Sequence, residues 1–228
     1  MKKLILFSSI VLIISMFIGL GFAANSMKAI KNSDKSTIFA IKSTLGLKTA
    51  IRQLGAEHVF YMRNYIISAL AGTDDTEAVA KRLLKNQVDI GDAIKPYYGL
   101  DAGNRLTSLL TDHIMIAVDV VTAAKNKQKD SLKKAQSKWI VNAEEITTFL
   151  NRINPKWDKK MLTDELNMHL KLSTDEVVSR LNMDWTKDIE SFDKIYNHML
   201  KFADILSGGI IAQFPNKFTD KLDTSKKY

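Results

Sequence analysis

The chain has 228 residues, 46% of them hydrophobic and 25% charged, with three prolines and no cysteine. That leaves room for one globular domain in which long helices can form, and it excludes intrinsic disorder, disulfides, thiolate metal sites, cysteine nucleophiles and covalently attached c-type haem. The net charge of +8 is dispersed, with no aromatic-interleaved basic stripe; this favours loose association with acidic surfaces and gives no nucleic-acid partner.

Met1-Lys2-Lys3 is a short positive start, Leu4 to Leu20 is almost wholly apolar, and Gly21-Phe22-Ala23-Ala24 places small residues before a cut after Ala23. This is the pattern of a secretory signal peptide over residues 1–24. The alternative is an uncleaved transmembrane anchor, because the apolar run is nearly long enough to span a bilayer. In either case the bulk of the chain is expected to be extracytoplasmic, secreted or anchored on the outer face of the cytoplasmic membrane. No second apolar stretch reads as long enough to span. Residues 25–46 are polar, rich in serine and lysine, and read as a tether.

Beyond the tether, apolar residues recur at three- and four-residue spacing, which predicts amphipathic helices. The first covers about 49–70. The second opens at Thr73-Asp74, where Asp74 and Glu77 have capping-box spacing, and ends near Pro96. Tyr97-Tyr98-Gly99 turns into a third over about 102–125. Residues 126–130 loop to a fourth, which Asn154-Pro155 stops after Ile153. A short fifth covers about 159–172. Ser173-Thr174-Asp175-Glu176 reads as a second capping box opening a sixth helix, which runs to about Leu206 and is stopped by Gly208-Gly209. Long helices with short connections give an all-α, up-and-down helical bundle of about six segments over residues 47–214. A loosely ordered basic tail over 215–228 follows, with Phe214 and Phe218 available to dock.

Positions three, four and seven residues apart share a helix face. On that test His113 sits among Leu106, Leu109, Leu110, Ile116, Ala117 and Val120, and His58 has no charged neighbour. His169 shares its face with Leu162, Leu166 and Leu172, with Glu165 and Glu176 at the edge. His198 has Lys194 and Lys201 beside it and is expected at the rim. Asp188 stands among Leu181, Trp185, Phe192 and Ile195. A carboxylate in such surroundings must be paired, hydrogen-bonded, protonated or metal-bound, and a buried histidine is its natural partner. Asp89 lies on a mixed face, where it either caps the site or meets water. Arg63 is expected to face solvent rather than an acid or an anionic ligand, and Asn142 to bond between helices or lie on a solvated face.

His58, His113 and His169 with Asp188 suit a divalent metal (Zn, Fe or Mn), Asp188 being a fourth ligand or orienting an imidazole. A pocket for a small polar ligand, or a structural network, is the alternative. No Glu-x-x-His pair, His-Glu-x-x-His, phosphate-binding glycine loop, dinucleotide fingerprint or Gly-x-Ser-x-Gly occurs, so no reaction is assigned.

The segments His58 to Arg63, Asn86 to Gly91, Pro96 to Gly99, Leu109 to Ile114, Asn142 to Leu150, Asn154 to Trp157, His169-Leu170, Asp188 to Asp193 and Ala203 to Pro215 carry a resemblance over about residues 48–218. They resemble a family of small bacterial all-helical proteins without an assigned activity, some of whose members are labelled glycosyltransferase or acetylglutamate kinase. The resemblance implies a helical bundle and a shared site, with equivalents of His58, His113 and His169 recurring more regularly than that of His198. The chain is also similar, more distantly, to three-histidine metal-binding bundles of the DinB/YfiT type, whose His-x-x-x-His pair it lacks. A membrane-anchored sensing or interaction module and an envelope structural protein are the competing functional readings.

Overall fold

The computed structural model describes residues 43–218. The signal or anchor segment, all of the tether up to residue 42 and the tail beyond Phe218 lie outside them. Six helices make up nearly all of the described chain: α1 Thr44–Ala71, α2 Thr76–Tyr98, α3 Leu100–Lys125, α4 Lys129–Ile153, α5 Lys159–Leu181 and α6 Trp185–Gln213. One 3-10 turn, Pro215–Lys217, follows, and there is no strand among the described residues.

Side-chain caps set several boundaries. Ser43 accepts from the Gly46 amide at 2.9 Å and starts α1 within the stretch read as tether. Gly72, at φ 73°, ends that helix in the left-handed region, its amide donating to the Ser68 carbonyl. Asp158 caps α5 through the Met161 amide at 2.7 Å. The Asp74–Glu77 capping box does not form; α2 opens at Thr76, behind a turn closed by Thr73 and Asp75 at 2.6 Å.

The largest departure concerns the fifth and sixth segments. Ser173-Thr174-Asp175-Glu176 opens no helix, because α5 runs through it without a break to Leu181. The Ser173 and Thr174 hydroxyls donate back to the carbonyls of His169 and Leu170, at 2.9 and 2.8 Å, as hydroxyls inside a helix do. The break falls at Asn182–Asp184 instead, where Met183 takes φ 56° and Asp184 caps α6. Gly208-Gly209 likewise ends nothing, since α6 continues to Gln213.

Each helix packs on its neighbours in the chain, and α6 returns to α1, so the six close into a ring. α1 also reaches across to α3 and α5. Two close approaches depend on the absence of a side chain. A Cβ on Gly91 would meet Thr107 Oγ1 at 1.9 Å, where α2 and α3 cross, and one on Gly209 would meet Trp157 Nε1 at the same distance. Trp157 is thereby seated over α6, its indole N–H shared between the carbonyls of Ile205 and Leu206. Phe218 docks on Tyr97, with ring centroids 5.9 Å apart. α3 has the length and composition to cross a membrane, contrary to the sequence expectation of no second such stretch; half of its apolar window is buried in the bundle.

Candidate functional site

Four helices bring their histidines together. His58 on α1, His113 on α3 and His169 on α5 are all buried, with 6%, 3% and 4% of their surface exposed. The His169 ring is the hub: its centroid lies 5.6 Å from His58, 6.0 Å from His113 and 6.3 Å from His198 on α6. His198, expected at the rim, has a side chain only 9% exposed, with Nδ1 3.4 Å from Glu165 Oε2 and Nε2 buried without a partner. His58, His113 and His169 line an interior cavity of about 100 Å³ to which all six helices contribute, its walls mostly leucine and isoleucine.

The hydrogen bonds fix the tautomer of His113. The Asn142 amide nitrogen donates to the Leu109 carbonyl at 3.1 Å, which leaves Asn142 Oδ1 as the acceptor for His113 Nδ1 at 2.8 Å. The Trp139 indole donates to His113 Nε2 at 3.1 Å. His113 is therefore neutral, protonated on Nδ1, with both nitrogens engaged. Gln87 Nε2 donates to the Leu83 carbonyl at 2.8 Å and to Asn86 Oδ1 at 3.1 Å, which uses both of its hydrogens, and lies 3.3 Å from His58 Nδ1.

Burial keeps these rings uncharged. It pulls His58 and His113 down to about 4 from an ordinary 6.5, partly offset by their amide hydrogen bonds. His169 falls well below its ordinary value, through burial first and then the three neighbouring imidazoles. His198 is lowered too, by burial against the pull of Glu165.

Two residues that line the cavity each hold a buried polar atom without a partner, Gln87 Oε1 and His169 Nδ1. Gln87 is wholly buried, and its amide nitrogen donates to the Leu83 carbonyl and to Asn86 Oδ1. It is not among the candidates that the sequence suggests, although Ala80, Leu83, Leu84, Ile90, Gly91 and Ile94 share its face. The face test that selected the histidines selects Gln87 equally well once neutral amides are included.

Asp188 does not join the imidazoles. It is buried, at 1% exposure, and both its oxygens go to guanidinium groups. Arg63 binds it in a fork, Nη1 to Oδ1 and Nη2 to Oδ2, both at 3.0 Å, while Arg180 Nη1 reaches Oδ2 at 2.9 Å. Arg63 also pairs with Glu176 at 2.7 Å. Two arginines and two carboxylates thus meet in one cluster, with Arg63 over the Phe192 ring and Arg180 over Trp185. Asp188 precedes His198 by ten residues on α6, about 15 Å along the axis. Arg63 thus faces acids where solvent was expected. Asp89 pairs with Lys85 on the outer face of α2 and takes no part in the cavity.

A wider concavity of about 840 Å³ opens between α3 and α4, lined by Met115, Ile116 and Val141 among aspartates and lysines, and contains no histidine. Among the described residues no three His, Asp or Glu side chains are placed to hold a metal ion. The chain matches no protein-family model, no curated protein and no solved structure.

Proposed function

We propose that this bundle is a binding module that takes a small uncharged molecule into the cavity bounded by His58, Gln87, His113 and His169. The observation that carries the reading is the pair of orphaned polar atoms, Gln87 Oε1 and His169 Nδ1, on two residues that line the cavity. A buried polar group without a partner costs about 1–3 kcal/mol, and a bound molecule recovers that cost. The apolar remainder of the wall holds the body of the ligand. The signal or anchor pattern at the N-terminus supports an extracytoplasmic setting, free or tethered to the membrane, in which such a module senses or carries its ligand.

A divalent metal (Zn, Fe or Mn) is the second reading, supported by the spacing of three imidazole rings around His169. It requires His113 to give up its bond to Trp139 or to Asn142, so the first reading is preferred. Xenon uptake followed by ¹²⁹Xe NMR tests the cavity. The wild type is expected to show saturable exchange that Ala203→Leu, at a cavity-lining position, abolishes. A folded wild type that takes up no xenon contradicts the reading.

A further inference from the structure

The polar atoms around the cavity define a ligand class. His58 lines the cavity with Nδ1 3.3 Å from Gln87 Nε2, and a neutral imidazole carries one donor and one acceptor nitrogen. Gln87 Oε1 is an acceptor without a donor. His169 Nδ1 has no partner, and as a ring nitrogen it serves as donor or acceptor according to tautomer. No carboxylate, ammonium or guanidinium lines the cavity. A buried anion would find no cation there and an ammonium no carboxylate, and burying either without a counter-charge costs more than its hydrogen bonds return.

What complements one unmet acceptor beside imidazole nitrogens is a group that both donates and accepts, on an apolar body. The volume of about 100 Å³ is somewhat below the roughly 150 Å³ of an apolar cavity known to admit benzene. Met199, on the cavity wall, is a flexible side chain that can yield the remainder.

We infer that the cavity selects a compact neutral alcohol or phenol, whose hydroxyl donates to Gln87 Oε1 and accepts from an imidazole N–H. This rests on the ligand-cavity reading above and narrows it to one chemistry. Water fills the same donor and acceptor roles but leaves the apolar wall without a partner.

Protein labelled with ¹⁵N in its histidine rings is titrated with phenol, with its near-isostere toluene, and with benzoate. Phenol is expected to bind saturably, at least tenfold more tightly than toluene, and to shift the ring nitrogens of His58 and His169. In Gln87→Leu, or in Gln87→Met if the leucine variant is poorly folded, that preference is expected to fall to twofold or less, with toluene still bound. Toluene matching phenol in the wild type, or benzoate binding more tightly than phenol, overturns the hydroxyl assignment while the cavity reading stands. Exclusion of phenol, toluene and xenon alike overturns both.

Discussion

Trp139 donates its indole N–H to Nε2 of His113 at 3.1 Å, and this one bond decides what His113 is free to do. With Nδ1 donating to Asn142, the ring has no lone pair to offer a ligand. Trp139→Phe keeps most of the apolar volume and removes the donor. The variant is expected to lose about 1–3 kcal/mol in urea unfolding, the cost of a buried acceptor left unpaired. Its His113 Nε2 resonance should move toward that of an unbonded nitrogen. Unchanged stability together with an unchanged ring spectrum would show that the bond does not form.

Stability should depend on pH through the imidazoles. The folded-state values of His58 and His113, about 4 against 6.5, mean that the unfolded chain binds protons the folded chain refuses. Their contribution is intact above pH 6.5 and is lost as the pH falls toward 4, at roughly 3 kcal/mol for each ring. His169 acts in the same direction. Glu176 opposes them: burial raises it to about 7 despite Arg63, so the folded state takes up its proton first between pH 7 and 4.5. Three rings outweigh one carboxylate. The melting midpoint should therefore fall between pH 6.5 and 4.5, and less steeply in His58→Leu. A midpoint that holds or climbs over that interval contradicts the buried, neutral cluster.

Adjacent glycines on α6 should respond in opposite directions. A Cβ at Gly208 meets nothing within 4 Å, whereas one at Gly209 falls 1.9 Å from the Trp157 indole nitrogen. Gly208→Ala is expected to stabilise by about 0.5–1 kcal/mol, the usual gain inside a helix. Gly209→Ala should cost about 1–3 kcal/mol through overpacking and shift the Trp157 fluorescence. Equal effects at the two positions would mean that Trp157 does not sit against α6.

Asp188 answers to two arginines, so its removal strands charge rather than freeing a metal ligand. Asp188→Asn should destabilise by about 3 kcal/mol, the low end for a broken buried pair, since Arg63 and Arg180 retain some contact with water. The His58 and His169 ring resonances should stay within the wild-type pattern. The exposed bidentate pair of Arg52 and Asp204 serves as control, and Arg52→Ala should leave the midpoint unmoved. Loss of the imidazole pattern in Asp188→Asn would join Asp188 to the cavity after all.

Apolar periodicity showed the helices and the buried faces of His58, His113, His169 and Asp188, because burial is written into a helix at three- and four-residue intervals. Partners across helices are not written there. Nothing at Asp188±4 says that Arg63, on a helix over a hundred residues earlier, will reach it, and a lone arginine on a local count reads as exposed. The false start at Ser173 has a similar origin. A hydroxyl followed by acidic residues looks the same whether it caps an amide or donates back to a carbonyl one turn earlier. The break after Leu181 rests on Met183 in the left-handed region, a conformation that a methionine does not advertise. Gln87 is legible by the same periodicity once neutral amides are counted with imidazoles and carboxylates.

The most direct test is a high-resolution crystal structure of the protein purified from its own source without a histidine tag, read at the cavity between His58, Gln87 and His169. The account predicts density for a small molecule with a polar atom at hydrogen-bond distance, about 2.7–3.2 Å, from Gln87 Oε1 or His169 Nδ1. A dry, empty cavity contradicts it, and so does a single ion held about 2.0–2.1 Å from the nitrogens of His58, His113 and His169.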